Sequence, residues 1–592
     1  RWPKRRGADE RAARLAFRAP LYRASNSASP TGELRWGDDV EILSRGKRRT
    51  KVRTPDGDVG WVEHAHVAEV RRLSARYVAP LWRNAQPTPK EEKIFDLLWG
   101  DEVLVLEPPA DGAPRVRVRA RGWIGWLDAN VPLDGPPLLE LYFIDVGQGD
   151  GVLIRTPDGR HVLIDGGYTR RKNPTGKSAA DFVDWKFFED YTRTRITLDA
   201  MIASHCDADH YGGLWDLLRD DKQSVDELDA TGCDVGAFYH AGVSWFERGS
   251  GGRWLGPTKQ RHLVRLLGDR ADVLACLPKG ADPRLQGEWR QFLERVVQAA
   301  PVIERLGVEA GQNGVVGDDE VYVPGFGPEE SDATLQVLAP VVRNIDGQPA
   351  VRSLDSAPDK NTNGHSILLR LRYGRARILL TGDLNKGSQQ ALLEAYKGRE
   401  HVFACDVAKA CHHGSEDVSY CFLKHMAPAA TIISSGDAEG HAHPRPAIIA
   451  ASGLTGHVTM EKDELLTPLV YATEIERSVG IGFVTRIETK KYPHGNSEIE
   501  LCIYARDAEK LPQAFRKDAQ AKKNARSVVF YEETPAGALR PQSRERSFRN
   551  LAIVSGIIYG LVNVRTDGKT ILCATRNESK NGWNVKTFES RF

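Results

Sequence analysis

The sequence has little that would cross-link, anchor or polarise it. Eight cysteines are spread singly over 592 residues and no two form a Cys-x-x-Cys pair, which excludes a zinc ribbon and a dense disulfide scaffold. No run of about 18 apolar residues occurs, so no membrane-spanning helix is expected. Neither sign of charge dominates: 82 Lys and Arg against 80 Asp and Glu leave a formal net charge of +2. That excludes a surface that grips nucleic acid all over, so any such binding needs a local patch. The sequence begins at Arg1, and residues 1–6 lack the apolar stretch of a signal peptide. Lone thiols in so long a chain suit a reducing compartment, so the expected location is the cytoplasm.

What is present is an ordinary globular composition, 41% hydrophobic and 27% charged. The chain is too long for one core, and at roughly 150 residues per domain it should hold three or four units. The first unit repeats itself. Ala19-Pro20-Leu21-Tyr22 returns as Ala79-Pro80-Leu81-Trp82, Trp36-Gly37-Asp38 as Trp99-Gly100-Asp101, and Gly60-Trp61-Val62 as Gly125-Trp126-Leu127. Each copy alternates apolar and polar residues in short runs broken by Gly, Pro and Asp, the pattern of short strands in a small barrel. The order of elements resembles bacterial SH3-like domains over residues 15–70 and 75–133. Such barrels serve either as a collar packed on the next domain or as docking modules for a peptide, a glycan or a protein partner.

Residues 133–137, Leu-Asp-Gly-Pro-Pro, read as a linker between self-contained cores. From residue 139 strand-like runs alternate with helix-like ones, the mark of an α/β architecture with two packed sheets. Strands are expected at 139–145, 151–155, 161–165, 198–204, 334–339, 366–372, 376–381, 402–411 and 430–434, and helices at 209–219 and 288–300. Residues 220–360 read as an insertion or cap, and 456–592 as a C-terminal extension that is partly β. Within that extension residues 517–523 look helical, and strands are expected at 557–564 and 570–574 around an Asp567-Gly568 turn.

The chemistry concentrates at strand ends. His205, Asp207, Asp209 and His210 lie within six residues, between a strand and a helix. Imidazole and carboxylate groups together suit zinc, manganese or iron(II). The bland alternative is a polar loop with a helix N-cap at Asp207 or Asp209. Three more features follow in order: Gly364-His365-Ser366 opening a strand, Thr381-Gly382-Asp383 closing one, and His412-His413-Gly414-Ser415 after another.

With Phe143 to Asp150 (Phe-Ile-Asp-Val-Gly-Gln-Gly-Asp), Val162 to Gly167 (Val-Leu-Ile-Asp-Gly-Gly) and His443-Pro444, these segments resemble the metallo-β-lactamase superfamily over residues 139–455. Within it they are most similar to the hydrolase domain of ComEC-type competence proteins. The resemblance implies an αββα sandwich, preceded here by two small all-β SH3-like barrels, and a site for two divalent ions, zinc or manganese. It assigns His205, Asp207 and His365 to one ion, Asp209, His210 and His412 to the other, and Asp383 between them. Whether His412 or His413 is the terminal ligand stays open. Asp165 would orient the motif by hydrogen bonds. Asp209, His413 and His443 are the candidate proton-handling groups.

The activity so implied is metal-dependent phosphodiester hydrolysis of DNA or RNA, with Lys409, Lys424 and Arg445 as nearby bases, and no membrane partner. A defence role in bacteria would suit a hydrolase with docking modules. Alternatives are a phosphodiesterase for a cyclic nucleotide or a cell-wall phosphocholine ester, and a non-catalytic scaffold that recruits partners through the repeats.

Overall fold

The computed structural model describes residues 13–474, apart from 15, 55–56, 75–77, 89–91, 108–111, 174–175, 221–226, 250–251 and 437–442, and residues 560–592 apart from 578–580. Between these, four backbone strands are described: Val484–Lys491, Ile499–Ala505, Phe530–Glu533 and Leu539–Gln542. The helix expected at 517–523 and the start of the strand expected at 557–564 lie outside the described residues. No helix among the described residues is long and apolar enough to cross a membrane.

The repeat is visible as topology. Residues 18–63 form a sheet ordered Pro30–Arg35, Arg18–Tyr22, Val59–Glu63, Arg49–Arg53, Glu41–Arg45. The second copy has the same order, Lys93–Leu98, Val78–Trp82, Trp123–Asp128, Arg115–Ala120, Glu102–Val105, with Glu69–Arg72 added at its edge. Packing repeats with it. The Arg49 guanidinium sits 3.3 Å from the Tyr22 ring centre and 2.9 Å from Glu63 Oε1. Its counterpart Arg115 sits 4.8 Å from the Trp82 ring centre and 2.8 Å from Asp128 Oδ1.

The remainder is a four-layer sandwich. The first sheet runs Val302–Arg305, Cys233–His240, Ile196–Ala203, His161–Ile164, Val152–Arg155, Leu139–Phe143, Val562–Thr566, Thr570–Asn577, Gly582–Glu589. Its first four strands are parallel. That arrangement needs crossovers, which contain the helices Ala179–Trp185, Ala208–Leu218 and Gly287–Ala299. The second sheet runs Val321–Tyr322, Ala333–Ala339, Leu368–Tyr373, Ala376–Leu380, Val407–Lys409, Ala430–Ile433, Leu469–Ala472. Leu141, Ile154, Ile202 and Val564 of the first sheet form one buried cluster with Leu335, Leu371, Ile378 and Ile432 of the second. On the first sheet's other face, Leu153, Leu163 and Phe238 pack against Phe182, Leu214 and Phe292 of the helices.

Two boundaries differ from the sequence reading. The segment read as an insertion contributes Cys233–His240 and Ala333–Ala339 to the two sheets. The C-terminal extension returns to pair Val562–Thr566 with the domain's first strand, Leu139–Phe143. The second barrel is also tied in: Leu98 and Trp99 pack with Leu572 and Ala574. The fully buried Arg565 pairs with Asp101 Oδ1 at 2.6 Å and with Glu140 Oε2 at 3.6 Å. Each barrel keeps a buried cluster of its own, so the segment 133–137 does separate cores, but a small apolar seam and the Arg565 ion pairs join the second barrel to the sandwich.

Candidate metal centre

The parallel strands of both sheets end at one place. Asp165 follows His161–Ile164, Ser204 and His205 follow Ile196–Ala203, Asp383 follows Ala376–Leu380, and the two histidines follow Val407–Lys409. Carboxyl ends of neighbouring parallel strands, with loops turning away from them, form a crevice by construction.

Close backbone approach narrows it. A side chain at Gly149 would lie 1.9 Å from the Asp209 carbonyl oxygen, and one at Gly213 would lie 2.1 Å from that of Gly166. Only glycine lets the Gly-rich loop and the helix Ala208–Leu218 meet. His412 and His413 follow at φ +48° and +53°, in the left-handed region that non-glycine residues rarely enter. Such strain persists where surroundings fix it, commonly at functional sites.

The geometry brings Asp150, His210, Asp383 and His413 into one buried group, each offering a ligand atom within 4.8 Å of the others. Asp383 Oδ2 lies 3.3 Å from His210 Nε2 and 2.9 Å from His413 Nε2, and those two nitrogens are 3.3 Å apart. Their other nitrogens fix the tautomers. His210 Nδ1 is 2.9 Å from Asp165 Oδ2, and His413 Nδ1 is 3.2 Å from both the Ser434 carbonyl oxygen and Asp150 Oδ1. With Nδ1 as the donor in each ring, the Nε2 lone pairs face Asp383 Oδ2, the usual arrangement behind a metal-bound imidazole. Asp165 thus holds the position expected of an orienting residue, and its other oxygen accepts from the Ser204 N–H at 2.7 Å.

A divalent ion fits this set. Two imidazoles and two carboxylates converge, and the buried Asp383 Oδ1 accepts no hydrogen bond, an arrangement costly without a cation. The protons respond to the same crowding. Burial opposes charge on His413, yet Asp383 and Asp150 outweigh it and hold the imidazole at about 9. His210 is likewise raised, against burial, by Asp383 and Asp165. Asp383 is held well below the usual carboxylate range, since His413 and His210 outweigh its burial.

The other expected residues fall around this group. His205 is buried with its ring centre 3.9 Å from that of His210, and its Nε2 is 3.6 Å from Asp207 Oδ2. Burial and His210 push its pKa down to about 3. Asp207 stands at the N-cap of the helix Ala208–Leu218 but makes no capping bond. It accepts from Trp245 Nε1 at 3.1 Å and Thr362 Oγ1 at 2.8 Å, and burial beside Asp209 pushes it up to about 6. Asp209 Oδ2 accepts from Gln148 Nε2 at 3.4 Å and lies 3.7 Å from His413 Nε2. His412 is more exposed, its Nε2 3.9 Å from Asp383 Oδ2. His443 is at the rim, its ring centre 6.1 Å from His412 and 6.4 Å from His413.

His365 is not brought to the group. It caps the helix Pro358–Gly364, and its Nε2 lies 2.8 Å from the Arg352 carbonyl oxygen. Its neighbours take the inner face: Ser366 Oγ is 3.2 Å from His205 Nδ1, and the Asn363 amide is 3.2 Å from His412 Nε2. Sequence reasoning assigned no role to Asp150, although its position after a glycine-rich loop between two strands was a usable signal. Lys409, read as a nearby base for substrate, is buried instead. Its ammonium pairs with Asp150, donates to the Gly382 carbonyl at 2.8 Å and lies 3.6 Å from Asp383 Oδ1.

The chain is similar to known proteins over parts of its length. Residues 144–255 match the family model described as Metallo-beta-lactamase superfamily. The chain is 24% identical over 324 residues to ComE operon protein 3 of Bacillus subtilis (strain 168), covering 52% of this chain and 30% of that protein. It is 36% identical over 87 residues to Competence protein ComA of Neisseria gonorrhoeae, covering 14% of this chain and 12% of that one. The chain therefore spans less than a third of either relative. A metallo-β-lactamase structure from Cronobacter sakazakii aligns over 48% of this chain and 81% of its own, with 13% identity and a TM-score of 0.19. The chain thus carries a region that matches the metallo-β-lactamase superfamily and is related in sequence to competence proteins, and it holds a candidate metal-binding group among the described residues.

Proposed function

We propose that this chain is a metal-dependent phosphodiesterase that cleaves DNA or RNA. The observation that carries the reading is the buried group of Asp150, His210, Asp383 and His413, whose candidate ligand atoms all lie within 4.8 Å of one another. These four would hold one divalent ion, zinc or manganese. His205 and Asp207, on the far side of His210, and the more exposed His412 would serve a second. Ions so held supply an activated water and offset charge on a scissile phosphoryl group. The chain's own residues do the rest. Asp209 reaches the centre from the helix start, where it would orient the attacking water. Lys409 holds Asp150 and Asp383 in place and balances their charge, and His443 at the rim gives a proton to the leaving oxygen.

The two barrels complete the proposal as SH3-like docking modules for a protein partner, with the reaction in the cytoplasm and a role in bacterial defence. The test is an assay of the metal-loaded protein on linear DNA, plasmid, RNA and cyclic nucleotides. Cleavage of DNA or RNA that stops on chelation supports the reading. Cleavage of cyclic nucleotides alone, or of nothing, overturns it.

A further inference from the structure

His365 drew attention as a metal ligand, and the metal group does not use it. Its buried ring forms one wall of a cavity of about 200 Å³ on the outer side of the Gly364-His365 turn. Because Nε2 faces the Arg352 carbonyl it is the donor, leaving the Nδ1 lone pair free to accept. The remaining lining joins two guanidinium groups, Arg343 and Arg352, to an apolar surface of Pro340, Val341, Leu354 and Leu392.

Charge in this cavity is not balanced. Arg352 shares its charge with Glu394 Oε2 at 2.8 Å. Half-buried Arg343 has no carboxylate partner among the described residues and makes only a 3.5 Å contact with the Gly314 carbonyl. Two arginines against one glutamate leave one positive charge beside apolar walls. A guanidinium fork matches a phosphate or carboxylate through paired N–H donors. At about 30 Å³ for each water-sized group, the space takes roughly seven such groups, more than a bare anion fills.

We propose that this cavity is a second ligand site, separate from the metal group, for a phosphate monoester whose phosphate and adjoining apolar or planar group enter it. Its position adds a reason. The helix Pro358–Gly364 is the partition between the two sites. Thr362 Oγ1 donates to Asp207 Oδ2 at 2.8 Å, and Asn363 meets His412 on one side, while Gly364 and His365 face the cavity on the other. The binding argument does not rest on the hydrolase reading, so failure of either leaves the other standing.

The test is calorimetry on the full-length protein with adenosine monophosphate, and with adenosine and inorganic phosphate as separate arms. Arg343→Gln and Arg352→Gln isolate the cavity from phosphate held at the metal group. Losing one charge-assisted contact should weaken binding by about 10- to 100-fold. Glu394→Gln, whose side chain is 70% exposed, should tighten binding by freeing Arg352. Adenosine and inorganic phosphate should each bind at least about 10-fold more weakly than the nucleotide. Three results would overturn the proposal: no nucleotide binding up to millimolar concentration, equal binding by wild type and both arginine variants, or phosphate binding as tightly as the nucleotide.

Discussion

The two adjacent histidines give the sharpest prediction, because only one of them belongs to the buried group. His413 is 1% exposed with Nε2 2.9 Å from Asp383 Oδ2, whereas His412 is 21% exposed and 3.9 Å away. Both sit at positive φ, a region that asparagine enters more readily than alanine, so His413→Asn and His412→Asn are the cleaner replacements. Four protein ligands hold a structural zinc ion with about 10–16 kcal/mol. One ligand of four then carries roughly 2.5–4 kcal/mol, or about 10²- to 10³-fold in Kd. His413→Asn should weaken metal binding by that factor. His412→Asn, which spares the buried group and removes one exposed ligand of the second ion, should weaken it by about 10-fold. Competition against a chromophoric chelator at neutral pH measures both, with circular dichroism to confirm the fold. If His412→Asn weakens binding more than His413→Asn, the ligand assignment is wrong.

Other consequences follow from the same contacts. In the metal-free chain His413, held at about 9, and His210, also raised, carry protons at neutral pH. A metal must displace both, so its affinity should climb with pH by up to about 100-fold per unit through neutral pH, and the His413 share of that slope should fade above about pH 9. A flat profile between about pH 6.5 and 8.5 would contradict the proton bookkeeping. Deleting residues 1–133 removes Asp101 from the fully buried Arg565 and uncovers Leu572. Losing the closer of the two carboxylates on Arg565 and exposing apolar surface both destabilise, so the truncated protein should melt at a visibly lower temperature, and unchanged melting would restore the barrels as independent units. His443→Ala should lower turnover by about 10²- to 10⁴-fold with metal content intact if the rim histidine delivers a proton. Loss of metal in that variant would instead make it a ligand.

Much of this was legible because it is local. The repeat shows in short motifs that recur at near-constant spacing, and its copies share one strand order. The candidate ligands show because strand ends carry them. What sequence concealed was direction and distant pairing. One step along a helix turns a side chain by about 100°, so at the end of Pro358–Gly364 Asn363 reaches the centre while His365 faces away. Consecutive left-handed residues at 412 and 413 defeat counting from the strand end. Lys409 looks like any basic residue beside a motif until its burial between two carboxylates is known. Apolar periodicity marks Val562–Thr566 as a strand but cannot say that its partner lies more than 400 residues earlier.

The central claim is that a metal held at Asp383 and its three neighbours performs hydrolysis. The most direct measurement compares wild type and Asp383→Asn for metal content and for cleavage of a phosphodiester such as bis(p-nitrophenyl) phosphate, before and after chelation. Asparagine keeps the size of the side chain and removes the charge on which His210 and His413 converge. The account predicts chelator-sensitive hydrolysis by the wild type, and loss of both metal and hydrolysis in a variant that remains folded. An Asp383→Asn protein that hydrolyses at the wild-type rate would contradict it.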